Sequence, residues 1–173
     1  KKVFDYLTGG YCDLFSDLLP ALLKKEKDIF AYTINGYFCD INTPANLLSC
    51  TYDLLDGKAK NILISQNENK FTNATIQSPY YIGKNVTLGR GVVIGSYSVL
   101  EDDTVIEDEV SIKKSIIQKG AVIKKESEIR SAIIGEQVVL DEGCSVFESS
   151  VIAKGCRLGK KVTVLPNIKL WPY

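Results

Sequence analysis

Between Ile76 and Val164 an aliphatic residue returns about every six positions, and no other feature of this chain restricts its fold as much. The series runs Ile76, Ile82, Leu88, Ile94, Leu100, Ile106, Ile112, Ile117, Ile123, Ile129, Ile134, Leu140, Val146, Ile152, Leu158 and Val164. Two steps, Ile112 to Ile117 and Ile129 to Ile134, are five residues long, and the rest are six. Four positions beyond each aliphatic there is usually a small or β-branched residue, as at Val86, Ser98, Thr104, Ala121, Cys144 and Cys156. Three positions beyond there is often a residue that tolerates positive φ, as at Asn85, Gly91, Asp103, Gly120, Gly143, Gly155 and Asn167. A helix of period 3.6 cannot hold this pattern, and the segment is rich in Val, Ile and Gly. Two-residue alternation followed by a turn residue gives a short strand and a corner. Three such units per turn make a triangular coil of about 18 residues, each aliphatic stacked on the one a coil below at the strand spacing.

These units, such as Ile82-Gly83-Lys84-Asn85-Val86-Thr87 and Leu88-Gly89-Arg90-Gly91-Val92-Val93, resemble the hexapeptide repeat of left-handed parallel β-helix proteins. The left hand is what the resemblance implies, since the general rule for parallel crossovers gives the opposite one. The prism is expected over about 76–168. Its fold does not specify function, because many enzymes are built on it.

The preceding residues read differently. Leu14, Phe15, Leu18, Leu19, Leu22 and Leu23 fall at helical spacing, with Asp17 as the expected cap, Pro20 at the third position, and Lys24, Lys25 and Lys27 toward the negative end of the dipole. Ile29–Ile34 and Tyr37–Ile41 flank Asn35-Gly36, which predicts a hairpin. Thr43 caps a second helix with Pro44 at its first position, running to about Asp56 and stopping at Gly57. Residues 59–75 read as a polar connector, with a short strand at Ile62-Leu63-Ile64. The expected organisation is 1–58, the end of a larger domain; 59–75, a connector; and 76–173, the β-helix.

Composition narrows the chemistry. The 173 residues carry 21 Lys plus Arg against 21 Asp plus Glu, which argues against nucleic acid as a main partner. No apolar run reaches the length of a membrane span. His is absent, so no His base, Ser-His-Asp triad or His-ligated metal can be built from this chain. Five cysteines without CxxC spacing read as buried free thiols, which implies a reducing, cytoplasmic setting. Met is absent too, and the start at Lys1-Lys2 without a signal peptide is read as that of a portion of a longer protein.

Gly36-Tyr37-Phe38-Cys39-Asp40-Ile41-Asn42-Thr43-Pro44, followed by a Leu-rich helix, is similar to the motif that ends the catalytic domain of sugar-nucleotide pyrophosphorylases. Asp17-Leu18-Leu19-Pro20-Ala21-Leu22-Leu23 resembles the helix ahead of that motif, and the family continues into a connector and a left-handed β-helix. The closing Pro166–Pro172 segment resembles the end of the β-helix in mannose-1-phosphate guanylyltransferases. The resemblance implies a fold that is mainly β, a left-handed β-helix preceded by a small α/β remnant of a nucleotidyltransferase catalytic domain. It implies attack by a sugar-1-phosphate oxygen on the α-phosphorus of a nucleoside triphosphate, in the guanylyltransferase case GTP with mannose 1-phosphate, releasing pyrophosphate. It puts Asp40 in the role of a Mg2+-binding carboxylate, with the other carboxylate and the Gly-rich phosphate loop outside these residues. The alternative for Asp40 is a cap of the following helix. Phe38 replaces the family's Trp, and Asn42 replaces Gly, which the left-handed tolerance of Asn accommodates.

Gly89-Arg90-Gly91 looks faintly like a phosphate loop but lies in register with the hexapeptides, which makes it a corner. Glu101-Asp102-Asp103 and Glu107-Asp108-Glu109 are expected to stack on one corner, as a solvated acidic face rather than a cation site. Lys113-Lys114, Lys124-Lys125 and Lys160-Lys161 read as solvated corners, and Lys169 and Trp171 as a cap over the open end. Competing functions are a non-catalytic assembly or regulatory subunit related to the pyrophosphorylases, a glucose-1-phosphate adenylyl-, thymidylyl- or uridylyltransferase, and a hexapeptide acyltransferase, which the absence of His disfavours. Self-association through the β-helix is expected, because its open ends leave strand edges and apolar rungs to be covered.

Overall fold

The computed structural model describes residues 2–7, 9–25, 28–60 and 71–172. The Ile62-Leu63-Ile64 strand and Lys27 lie outside the described residues. The chain divides into two compact units, Lys1–Gly36 and Tyr37–Tyr173.

In the first unit a 3-10 turn spans Lys2–Tyr6, a π-helical turn spans Leu14–Leu18, and α1 follows at Leu19–Lys24. The cap is Asp13, not Asp17: the Asp13 carboxylate accepts from the backbone N–H groups of Phe15 and Ser16, at 2.9 and 2.8 Å. Asp17 reaches back to accept from the Asp13 N–H at 2.8 Å, so the two acids satisfy the helix start reciprocally. Pro20 has no N–H to donate, and the wide turn precedes it, with α1 starting afresh around it. The expected hairpin is absent. Residues 28–42 contain no strand, and Phe30, Tyr32, Ile34 and Phe38 are exposed. Asn35-Gly36 supplies the turn chemistry, but a two-stranded ribbon without a third strand or a covering helix is marginal in water.

The second unit opens with α2, Pro44–Leu55, placed as the sequence predicts: Thr43 Oγ1 accepts from the Asn46 N–H at 3.1 Å, and Gly57 ends the segment at φ 72°. From Ala74 to Leu170 the chain winds a left-handed parallel β-helix, a prism with three sheet faces of six, six and five strands. The first face stacks Ala74–Ile76, Val92–Ile94, Ser111–Lys113, Glu128–Arg130, Ser145–Val146 and Thr163–Val164. The second stacks Tyr80–Ile82, Ser98–Leu100, Ile116–Ile117, Ile133–Ile134, Val151–Ile152 and Lys169–Leu170. The third stacks Thr87–Leu88, Val105–Ile106, Val122–Ile123, Val139–Leu140 and Arg157–Leu158.

The aliphatic series fills the interior. Ile94, Ile112, Ile129, Val146 and Val164 are successive register partners on the first face, and most members of the series are fully buried. Ile76 and Leu88, near the open first coil, are only partly buried. Both five-residue steps fall at the corner between the first and second faces, where Lys114 and Ser131 take positive φ. Gly89-Arg90-Gly91 is a corner, as its register requires. A Cβ on Gly89 would meet the Asp108 backbone nitrogen at 2.6 Å, and Gly91 has φ 68°.

The two acidic runs do not share a corner. A spacing of six moves a residue to the next corner, and only a spacing of 17 or 18 stacks it. Glu101-Asp102-Asp103 therefore sits between the second and third faces, and Glu107-Asp108-Glu109 between the third and first. Each run is stacked on basic residues. Lys84, Asp102, Lys119, Glu136 and Lys154 occupy equivalent sites in successive coils of one corner, and Arg90, Asp108, Lys125, Glu142 and Lys160 do so on the other. The sign alternates at every coil. Lys160 lies 3.0 Å from Glu142, Arg90 3.0 Å from Asp108, and Lys119 3.5 Å from Asp103. Lys124-Lys125 and Lys160-Lys161 are thus corners paired with acids one coil away.

Candidate functional site

Asp40 lies outside regular secondary structure between Tyr37 and Thr43, and its position follows from the start of α2. Thr43 is extended at φ −137° and ψ 158°, Pro44 occupies the first turn, and the Thr43 hydroxyl satisfies the Asn46 N–H. That leaves the Asn46 side chain to reach back, where its Nδ2 donates to the Asp40 carbonyl at 3.0 Å. Asn42 Nδ2 donates to Asp40 Oδ2 at 2.7 Å. Asp40 is therefore not the helix cap; Thr43 is. Its carboxylate is exposed and held by a neutral amide. Asn42 is not among the residues at positive φ, so its part here is that of a hydrogen-bond donor and not of a left-handed turn residue.

A second set of polar groups forms where Tyr37 meets α2. The Tyr37 hydroxyl donates to Asp53 Oδ2 at 3.1 Å, and the Lys58 ammonium pairs with the other oxygen of Asp53. Lys58 holds the Asp53 carboxyl below the usual carboxylate range, and Asp53 raises Lys58 in turn. The Cys50 thiol, burial, Cys39 and Asp53 all push the Tyr37 hydroxyl far up. The Cys50 thiol and burial likewise raise Cys39. Tyr37 and Cys39 therefore stay neutral near pH 7 and Asp53 and Lys58 stay paired, so none of these four is a nucleophile or base in waiting. Sequence reasoning had no signal for this set, since Tyr37, Cys50, Asp53 and Lys58 meet only once α2 is folded.

Mg2+ takes one or two protein carboxylates, several waters and substrate phosphates. Asp40 fits the part of one such ligand. No cluster of three His, Cys, Asp or Glu able to hold a metal exists among the described residues, so these residues alone do not make a complete site. The acidic corners do not make one either, because their carboxylates are engaged by Lys84, Arg90, Lys119 and Lys125 through backbone N–H groups or side-chain cations. No helix among the described residues is long and apolar enough to cross a membrane, and all five cysteines are free.

The family described as the EIF2B subunit epsilon LbH domain matches residues 59–164. A glucose-1-phosphate adenylyltransferase of Mycoplasma mobile is 34% identical over 91 residues, 50% of this chain and 24% of that protein. A protein of the same name from Bacillus cytotoxicus is 27% identical over 155 residues, 88% of this chain and 33% of its own length. This chain thus spans a quarter to a third of the length of these relatives. Among solved structures, the acetyltransferase domain of PglB from Neisseria gonorrhoeae aligns with a TM-score of 0.54 at 17% identity, over 56% of this chain and 48% of that one. At that identity it shows the shared β-helix and nothing of chemistry.

Proposed function

The chain belongs to the family of the EIF2B subunit epsilon LbH domain, and from that membership we propose that it is the β-helix-bearing portion of a sugar-1-phosphate nucleotidyltransferase. The observation that carries this reading is the reach of the similarity. The family match stops at residue 59, but the match to the Bacillus cytotoxicus adenylyltransferase takes in 88% of the chain, hence Asp40 and α2 as well. A β-helix shared for its shape alone gives no reason for similarity in the segment ahead of it.

In this reading a sugar-1-phosphate oxygen attacks the α-phosphorus of a purine nucleoside triphosphate and pyrophosphate leaves. Mg2+, when bound, neutralises charge on the phosphoryl oxygens. Asp40 contributes one carboxylate to that ion, Asn42 orients it, and Asn46 fixes the backbone that carries it. The β-helix serves assembly or regulation. The closing Pro166–Pro172 segment supports GTP with mannose 1-phosphate, and the relatives' names support ATP with glucose 1-phosphate. Five unpaired thiols fit a reducing, cytoplasmic setting.

The test is pyrophosphate release by the complete protein with each substrate pair, beside Asp40→Asn. The variant is expected to lose about 100-fold or more in kcat and to need more Mg2+, with its melting temperature unchanged because Thr43 is the cap. Near-normal turnover at ordinary Mg2+ would remove Asp40 from the site. The family's description as a domain of a subunit favours a second reading, an assembly or regulatory subunit. Absence of turnover by the complete protein with either pair, and with UTP or dTTP and glucose 1-phosphate, would favour that reading instead.

A further inference from the structure

We infer that the third face of the prism is a two-fold interface at which two copies of this chain pair with their β-helices antiparallel and the dyad passing between Val105 and Val122. This goes beyond the catalytic reading and does not depend on it.

The three faces differ in what they present outward. The second presents Val99, Ile116, Ile133 and Val151, and α2 covers it with Leu47, Leu48 and Tyr52. The first presents Thr75, Ser111, Glu128, Ser145 and Thr163, with Val93 alone among them, a surface suited to water. The third presents Thr87, Val105, Val122, Val139 and Arg157 in register. Its middle is an unbroken valine stripe that keeps solvent access, with Val105 exposed and Val122 and Val139 half-buried. Val105 is 36% exposed. A groove of about 410 Å³ runs over its first coils, between Thr87, Val105 and the Gly89 corner.

The charge ladders flank this face and no other on both sides, and they select its occupant. Counting coils from the first, both corners read plus, minus, plus, minus, plus: Lys84, Asp102, Lys119, Glu136 and Lys154 on one side, and Arg90, Asp108, Lys125, Glu142 and Lys160 on the other. Each charge already has an intrachain neighbour one coil away, but the groups remain on the rim of the face and set its potential. A parallel pair would set like charge against like at every coil. An antiparallel pair centred on the third coil would do the same. An antiparallel pair centred between the second and third coils sets Lys84 against Glu136, Asp102 against Lys119, Arg90 against Glu142 and Asp108 against Lys125, every contact opposite in sign. The half-coil position one step further on is also complementary, but it lays Arg157 on Val105. The chosen one lays Val122 on Val105 and Val139 on Thr87, so the partner's valines enter the groove and Arg157 stays outside.

Two experiments on the whole chain test this. In sedimentation equilibrium the wild type is expected to be a dimer at tens of micromolar, weakened by salt. Val122→Glu should raise the dissociation constant about tenfold or more, and Val93→Glu, on the first face, should leave it unchanged. Zero-length carbodiimide cross-linking of mixed isotope-labelled and unlabelled wild type should join Lys84 to Glu136 between copies. Within one copy those residues are three coils apart, about 14 Å at the strand spacing, beyond such a link. A monomeric wild type, a dimer indifferent to Val122→Glu, or the absence of the Lys84–Glu136 link between copies would each overturn the interface, and the link is read without any variant that must fold.

Discussion

At Thr104 the prism holds a polar group with nothing to satisfy it. The side chain is fully buried at an inner corner, and its hydroxyl oxygen has no hydrogen-bond partner. Its counterparts at another corner are satisfied: Ser98 donates to the Gly95 carbonyl at 2.7 Å and Ser150 to the Leu165 carbonyl at 2.8 Å. Valine has the same shape without the hydroxyl, and Val86 and Val138 already occupy the equivalent sites on the same corner. Thr104→Val is therefore expected to stabilise the protein by about 1 kcal/mol, measured by denaturant unfolding. A destabilised variant would mean that the hydroxyl has a partner, such as a buried water. Ile123→Asp tests the interior from the other side. Ile123 is fully buried in the aliphatic stack, and an unpaired carboxylate there should cost several kcal/mol and melt the β-helix tens of degrees lower. An unchanged melting temperature would refute the inward register.

The element that sequence reasoning placed best but understood least is α2. Its cap, first-turn proline and C-terminal glycine are local chemistry and were all legible. Its partner was not, because the contact is made far along the chain: Tyr52 donates to the Lys114 carbonyl at 2.6 Å across 62 positions, at one of the shortened corners. The hairpin failed for the converse reason. Turn chemistry at Asn35-Gly36 is local, but strand pairing needs neighbours that residues 28–42 do not find. In the prism, period and register agreed, since one rule repeats in every coil. Positive φ at Tyr97, Glu109, Lys114 and Gln137 was invisible, because coil closure imposes it on residues with no preference for it. Asp40 was legible only through the motif around it, and the contacts from Asn42 and Asn46 needed the fold.

Docking of α2 rests on Leu48, which is 5% exposed against Ile116 and Ile133. Leu48→Ala should cost about 2–4 kcal/mol and loosen α2 amides in hydrogen exchange, while the β-helix core stays protected. Equal loosening of both would show that α2 is not a separate element. Burial also raises the Tyr52 hydroxyl to about 12, so the folded state keeps this proton after the unfolded chain has lost it. Stability from Tyr52 is full below about pH 10 and is lost as pH rises through about 12.

Across the whole molecule the charge ladders tie each coil to the next, and their sign of action can be read from their carboxylates. The Arg90 N–H and guanidinium hold Asp108 below the usual carboxylate range, Lys154 does so for Glu136, Lys124 for Asp141 and Lys160 for Glu142. Asp103 is lowered by the Asn85 amide first and by Lys119 after it. Each of these groups binds its proton less tightly folded than unfolded. Their contribution is therefore complete above about pH 4, the ordinary carboxylate value, and is lost as pH falls through their lower folded values. Asp103 is exposed and Asp108, Glu136, Asp141 and Glu142 are half-buried at the surface, so each pair alone contributes little and salt weakens it. Arranged as two continuous ladders, however, they titrate over the same interval and release several coil-to-coil contacts together. The melting temperature is expected to be flat from pH 7 to about 5 and to fall steeply below about 4, by less in 1 M salt, where the Debye length is about 3 Å. Lys125→Glu, which sets a carboxylate between Asp108 and Glu142, should invert the trend locally. It lowers the melting temperature at pH 7, where all three are charged, and recovers part of the loss as acid neutralises them. A variant that melts like the wild type at pH 7 would show that the alternation leaves coil stacking unaffected, and that the stack of Ile, Leu and Val holds the prism together without it.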